Sequence, residues 1–222
     1  MDYTSNFRHI HAQIAESKRL YNRSCPIEVI AVSKYQSIEQ IKALHKCGQV
    51  AFGENKVQDL KIKYSALESL HLQWHFIGTL QENKINALIA LKPTLLHSLD
   101  SLKLAYALQK RLESNGQTMR ALLQLNTSFE HSKSGVHPNE AISVYRQIAR
   151  ECQNIRLQGI MTIGAHTNKR EAIKRSFEIA KEIFDTLQGD GAEILSMGMS
   201  GDFDIAIECG ATMLRIGSKF FA

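Results

Sequence analysis

A chain of 222 residues with 44% hydrophobic content has the composition of a globular protein able to bury one sizeable core, as two small domains or as one α/β barrel. Its formal net charge of +5 comes from scattered basic residues, without a run of five like charges, an aromatic RNA-binding motif or a zinc-finger spacing, so nucleic acid is not an expected partner. Cys25, Cys47, Cys152 and Cys209 show no C-x-x-C spacing and no segment approaches the roughly 20 apolar residues of a membrane span, which argues against a metal site, a disulfide framework and a membrane anchor, and for a cytoplasmic location.

Phe7, Ile10, Ile14 and Tyr21 mark one face of an N-terminal helix, expected to plug the bottom of a barrel or to pack beside it. Residues 27–33 form the first apolar run. Ser37 followed by Gln40 then reads as a capping box that opens a helix through Cys47, with Gly48 as its stop. Residues 50–53 and 74–78 are the second and third runs, and Thr79 with Glu82 repeats the capping signature ahead of a helix over 84–91. Residues 94–99 and 121–126 follow, after which Pro138 begins a helix over 139–152, where its missing N–H costs little. The sixth run, 157–163, leads to a helix over 170–187. The seventh, 193–197, leads to a helix over 202–209 stopped by Gly210, and 212–216 is the eighth.

Eight short runs alternating with helices predict a single (β/α)8 barrel domain spanning 1–222, with an extra N-terminal helix. An open doubly wound sheet would call for a glycine-rich first turn, whereas this one reads Ser33-Lys34-Tyr35-Gln36.

In such barrels chemistry gathers at the C-terminal ends of the strands, and the last two loops frequently hold a phosphate. Gly198-Met199-Ser200-Gly201 and Arg215-Ile216-Gly217-Ser218 supply backbone N–H groups and hydroxyls suited to that purpose, though Gly217 and Ser218 read equally as turn residues. Lys34 ends strand one. It is either a solvated loop lysine, the commoner case, or an amine made reactive toward an aldehyde by partial desolvation and the nearby Arg215 charge. Glu54-Asn55, Gly78 and Asn126 end strands two, three and five. Other arrangements fail. Asp202 replaces the second glycine of a nucleophile elbow, and His9 and His11 face different ways on a helix. His75 and His97 sit inside apolar runs, as hydrogen-bonded barrel histidines would.

The segments Ala31-Val32-Ser33-Lys34, Phe52-Gly53-Glu54-Asn55, Trp74-His75-Phe76-Ile77-Gly78 with Leu80-Gln81 and Asn83-Lys84, Ser132-Lys133-Ser134-Gly135, Ser196-Met197-Gly198-Met199-Ser200-Gly201-Asp202 and Arg215-Ile216-Gly217-Ser218 follow one another along the chain. In these motifs the sequence resembles, over nearly its full length, the pyridoxal phosphate homeostasis protein family, a single-domain relative of the alanine racemase N-terminal barrel. The resemblance implies that Lys34 carries pyridoxal 5′-phosphate as a Schiff base. It also implies that Ser200, Gly217 and Ser218 hold the phosphate with Met199 beside them, that Arg215 lies against the pyridine nitrogen, and that Asn55 is a cofactor-side residue. Ser218 stands where the family usually has threonine, Thr79 replaces a common proline and Ala222 a common glycine.

The implied function is holding and buffering the cofactor in vitamin B6 homeostasis, with apo-enzymes that use it as recipients, no residue assigned to catalysis, and a monomer or weak dimer. The alternatives are a pyridoxal-dependent racemase or lyase acting on small amino acids and, more distantly, a cofactor-free Schiff-base aldolase. A cation by the ring nitrogen weakens the ring as an electron sink. In alanine racemase the opposing acid/base tyrosine comes from a C-terminal domain, which is expected to be missing here because the sequence stops just after strand eight.

Overall fold

The computed structural model describes residues 2–130 and 133–222. All eight apolar runs form strands: β1 (Glu28–Val32), β2 (Ala51–Glu54), β3 (Gln73–Phe76), β4 (Leu95–Leu99), β5 (Met119–Leu125), β6 (Ile155–Thr162), β7 (Ile194–Ser196) and β8 (Met213–Ile216). They close in sequence order into a parallel barrel, in which β1 lies beside β8 with Glu28 opposite Met213 and Ala31 opposite Ile216. Parallel strands enclosed on both faces need apolar side chains on both, which is why these segments read as continuous runs. Ile30, Ala51, Leu95, Leu122, Met161 and Met213 form a small cluster inside the barrel. Their strand neighbours, among them Ala31, Phe52, Leu123 and Leu214, belong to the larger core between sheet and helices. Full burial of each Leu, Ile, Met or Phe side chain among them contributes ~1.5–3 kcal/mol.

The crossovers carry α2 (Ile38–Lys46), α3 (Val57–Ala66), α4 (Ile85–Leu91), α5 (Leu102–Ser114), α6 (Ala141–Glu151), α7 (Arg170–Leu187) and α8 (Phe203–Glu208). The capping box of α2 is complete: Gln40 N donates to Ser37 Oγ at 3.2 Å, and Ser37 N donates to Gln40 Oε1 at 2.8 Å. The box expected at Thr79 and Glu82 does not form. Glu82–Lys84 instead make a 3-10 turn that runs directly into α4, and neither segment has a side-chain cap. Pro138 likewise opens a 3-10 turn, Pro138–Glu140, ahead of α6.

The N-terminal helix α1 (Tyr3–Leu20) packs beside the barrel and does not plug it. After β8 the chain makes only the four-residue α9 (Ser218–Phe221), so the place between α8 and α2 where an eighth crossover helix would lie is left open. Helix α1 fills it, touching α2, α8 and α9, with Ile10 and Ile14 buried. Asn6 Nδ2 ties it down by donating to the carbonyls of Phe220 at 3.2 Å and Ala222 at 3.1 Å. Among the described residues no helix is long and apolar enough to cross a membrane, and all four cysteines are free thiols.

Candidate functional site

A cavity of about 720 Å³ opens at the C-terminal ends of the strands. Its first wall is the turn after β1. Gln36 N donates to Ser33 O at 2.9 Å, and Tyr35 takes a left-handed φ of +68°, uncommon for a residue with a bulky side chain. That turn carries Lys34, which lines the cavity and is exposed. Of the two environments open to this lysine, the solvated one is found: it lies two residues past the end of β1, and the turn lifts it onto the rim.

The turn is braced from behind. Lys63 Nζ, on α3, donates to Ser33 O and to Glu54 Oε1, both at 2.8 Å, and Ser33 Oγ donates to the same carboxylate oxygen at 2.5 Å. Glu54 is completely buried and Lys63 nearly so. Next to Glu54, Asn55 lines the cavity, and its Oδ1 is buried with no hydrogen-bond partner. Gly78 completes this side. A Cβ there would lie 2.0 Å from the Asn55 carbonyl oxygen, so only glycine allows the loops after β2 and β3 to come this close.

The opposite wall is the pair of loops after β7 and β8. Gly198 turns the chain with φ +90°, and the Asp202 side chain accepts from Met199 N at 2.6 Å, closing a tight loop over residues 199–202. Burial pushes the Asp202 carboxyl above the usual aspartate range, partly offset by that N–H. Ser200 Oγ accepts from Gly217 N at 3.1 Å and so joins the two loops. With the Ser218 side chain at the start of α9, this makes a compact corner rich in N–H and O–H donors.

Arg215 forms the floor at 4% exposure. Its Nη1 donates to Ser196 Oγ at 2.6 Å and its Nη2 to the Thr162 carbonyl at 2.9 Å. Burial pulls it down to about 10, with only Asp202 acting in the other direction.

Comparison with known proteins gives a consistent assignment. Residues 6–221 match the family described as alanine racemase, N-terminal domain. A protein from Helicobacter pylori named pyridoxal phosphate homeostasis protein is 51% identical over 221 residues, covering 100% of this chain and 99% of that one. The chain belongs to the pyridoxal phosphate homeostasis protein family. Two solved structures share its fold closely. A protein of unknown function from Bifidobacterium adolescentis superposes with a TM-score of 0.94 at 32% identity, covering 99% of this chain and 94% of that one. PipY of Synechococcus elongatus, solved with PLP bound, superposes with a TM-score of 0.80 at 30% identity, covering 94% of this chain and 100% of that one.

Within this family member the seven residues singled out in sequence, Lys34, Asn55, Met199, Ser200, Arg215, Gly217 and Ser218, all line the one cavity. Asn126 does not. Its Nδ2 donates to the carbonyls of Glu130 at 2.9 Å and Lys133 at 3.1 Å, which folds the loop after β5. Ser132 lies outside the described residues. Several lining residues were not singled out, among them Lys56, Gln124 and Met161. Lys56 lies two positions past β2, as Lys34 does past β1, and Gln124 is two residues beyond the inward-facing Leu122, so strand alternation carries the signal for it.

His75 and His97 are hydrogen-bonded to each other, Nδ1 to Nε2 at 2.9 Å, inside the barrel. Burial, reinforced by the Arg120 charge, pulls His75 down to about 3. Burial, with His75 and Arg215 adding to it, holds His97 well below the usual histidine range. Both rings are neutral in the fold but titrate near 6.5 once unfolded. Below that pH the unfolded chain binds protons that the folded one refuses, so stability present above 6.5 falls by about 1.4 kcal/mol per pH unit for each ring that stays neutral in the fold, for His75 down to about 3. Urea unfolding at pH 7.5, 6.0 and 5.0 is expected to show this loss, with a shallower slope in His97→Gln.

Proposed function

We propose that the protein binds pyridoxal 5′-phosphate at the barrel mouth, held as a Schiff base on Lys34, and serves vitamin B6 homeostasis by keeping the cofactor and releasing it to apo-enzymes that use it. The observation that carries this reading is the donor set of one cavity: a lysine amine on one wall, a hydroxyl-and-amide corner at Ser200, Gly217 and Ser218 on the other, and a buried arginine as floor. That set matches an aldehyde, a phosphate and a ring nitrogen. The unpartnered Asn55 Oδ1 adds an acceptor for a ring substituent. The names of the Helicobacter pylori relative and of PLP-bound PipY support the same ligand.

When bound, the cofactor supplies an aldehyde that an amine can trap and a ring that withdraws electrons from an attached carbon. Lys34 forms the C=N bond as the aldehyde oxygen departs as water. Arg215, already donating through Nη1 and Nη2, keeps a positive charge at the floor and disfavours a proton on the ring nitrogen. Among the described lining residues the titratable side chains are Lys34, Lys56 and Arg215, all basic. No carboxylate, imidazole, phenol or thiol lines the cavity there, which leaves the exposed Lys56 as the other group able to exchange a proton. This favours a holder over a racemase or lyase. A cytoplasmic location suits the free thiols, and a monomer or weak dimer suits an open cavity mouth.

Incubating purified protein with pyridoxal phosphate should give a visible absorption band and about one equivalent bound. The loaded protein, mixed with amino acids in deuterated water, should show no multiple-turnover α-proton exchange. Sustained exchange that disappears in Lys34→Ala would replace the holder with an enzyme acting on small amino acids.

A further inference from the structure

Arg215 makes no salt bridge among the described residues, and its hydrogen bonds lead away from the cavity. Beyond Ser196 Oγ, His97 Nδ1 stands at 3.2 Å, His97 Nε2 is 2.9 Å from His75 Nδ1, and His75 Nε2 is 3.8 Å from Glu28 Oε1 at the start of β1. Arg215, Ser196, His97 and His75 are 4%, 0%, 0% and 1% exposed. Strand alternation explains their alignment: Arg215, Ser196 and His75 each lie between two neighbours that face the outer core, and His97 follows Leu96, which does the same. Polar groups this dry are costly unless each finds a partner.

The direction of the chain follows from valence. A guanidinium has only donors, so Ser196 Oγ accepts from Arg215. The serine proton then has His97 Nδ1 as its acceptor among the described contacts. A neutral imidazole that accepts at Nδ1 carries its proton on Nε2, which His97 donates to His75 Nδ1. The His75 Nε2–H then faces the Glu28 carboxylate at 3.8 Å, a charge contact and not a hydrogen bond, so the hydrogen-bonded column ends at His75. The reverse order would leave the serine proton unpaired and aim a lone pair at that carboxylate. The charged groups facing the rings are Glu28 on β1, Arg120 on β5 and Arg215 on β8, and burial keeps both rings neutral as this order requires.

We infer that Ser196, His97 and His75 are positioning residues, a one-directional hydrogen-bond column along the barrel axis that fixes the Arg215 guanidinium at the cavity floor. Its consequence for a bound cofactor rests on the proposed function; the column itself does not.

Long-range proton–nitrogen NMR on the cofactor-free, 15N-labelled protein tests the column. Both histidines are expected as neutral Nε2–H tautomers from pH 5.5 to 8. An Nδ1–H tautomer or a charged ring at either position overturns it. In the pyridoxal phosphate complex, Ser196→Ala should shift the visible absorption maximum and speed cofactor release about tenfold, the size of one lost hydrogen bond to a charged group. Ser196→Thr, which keeps the hydroxyl, should restore both. Should Ser196→Ala fail to fold, His97→Gln takes its place with the same expected shift. A folded Ser196→Ala or His97→Gln with wild-type spectrum and release rate would refute the positioning role. A wild type that takes up no pyridoxal phosphate would defeat the proposed function and leave the tautomers to decide the column by themselves.

Discussion

Lys34→Ala is expected to be colourless after incubation with pyridoxal phosphate and to incorporate no borohydride-fixed label. It should retain the ligand more weakly by a factor on the order of 10² or more, because a covalent tether makes every remaining contact intramolecular. The fold should be untouched, since Lys34 is exposed and its side chain makes no hydrogen bond among the described contacts. Ser200, Gly217, Ser218 and Arg215 remain in the variant and should still bind ligands that carry the phosphate but no aldehyde. Equilibrium dialysis against pyridoxal phosphate and pyridoxine phosphate separates the two contributions. The wild type should prefer the aldehyde strongly, and the variant should treat both alike.

Lys63→Met is expected to destabilise the protein by about 3–5 kcal/mol, the usual cost of leaving one member of a buried ion pair without its partner. Glu54 is completely buried, and Lys63 Nζ is its cation at 2.8 Å. The loss should reach the site as well. The same Nζ holds the Ser33 carbonyl, one residue before Lys34, so the turn that carries the lysine loses its brace. Chemical denaturation measures the first effect, and the rate of cofactor uptake by the folded fraction measures the second. Restoring shape without charge in Lys63→Met with Glu54→Leu should recover much of the stability while leaving uptake slow.

The barrel was legible because its strands are short apolar runs between capped helices, and helices such as α2 carry both a capping box and a glycine stop. Two helices were less visible. α5 has Ser101 as its cap ahead of the inward-facing Leu104, Leu108 and Leu112, a signal present in the sequence at helical spacing. α3 has Lys56 at its N-cap with no side-chain bond, and it buries Lys63 among its few inward residues, so neither end nor face announces it. The site was legible through one rule, that residues just past the strand ends meet at the mouth. That rule cannot say how a turn orients its residues. The left-handed Tyr35 puts Lys34 on the exposed rim, and burial falls on Arg215 instead. Contacts between distant elements were hidden for the same reason: nothing local in Glu54 or Lys63 reveals that a strand end and a helix face will pair, and His75 and His97 show their inward direction but not their order in a column.

The tether is tested most directly by chemical trapping. Wild-type protein saturated with pyridoxal phosphate is reduced with borohydride, digested, and its peptides weighed. The phosphopyridoxyl mass is expected on the peptide that contains Lys34, at close to one equivalent and on no other lysine. Label on Lys56, the other lysine lining the cavity, or saturated protein that yields no reduced adduct, would contradict the assignment of Lys34 as the residue that holds the cofactor.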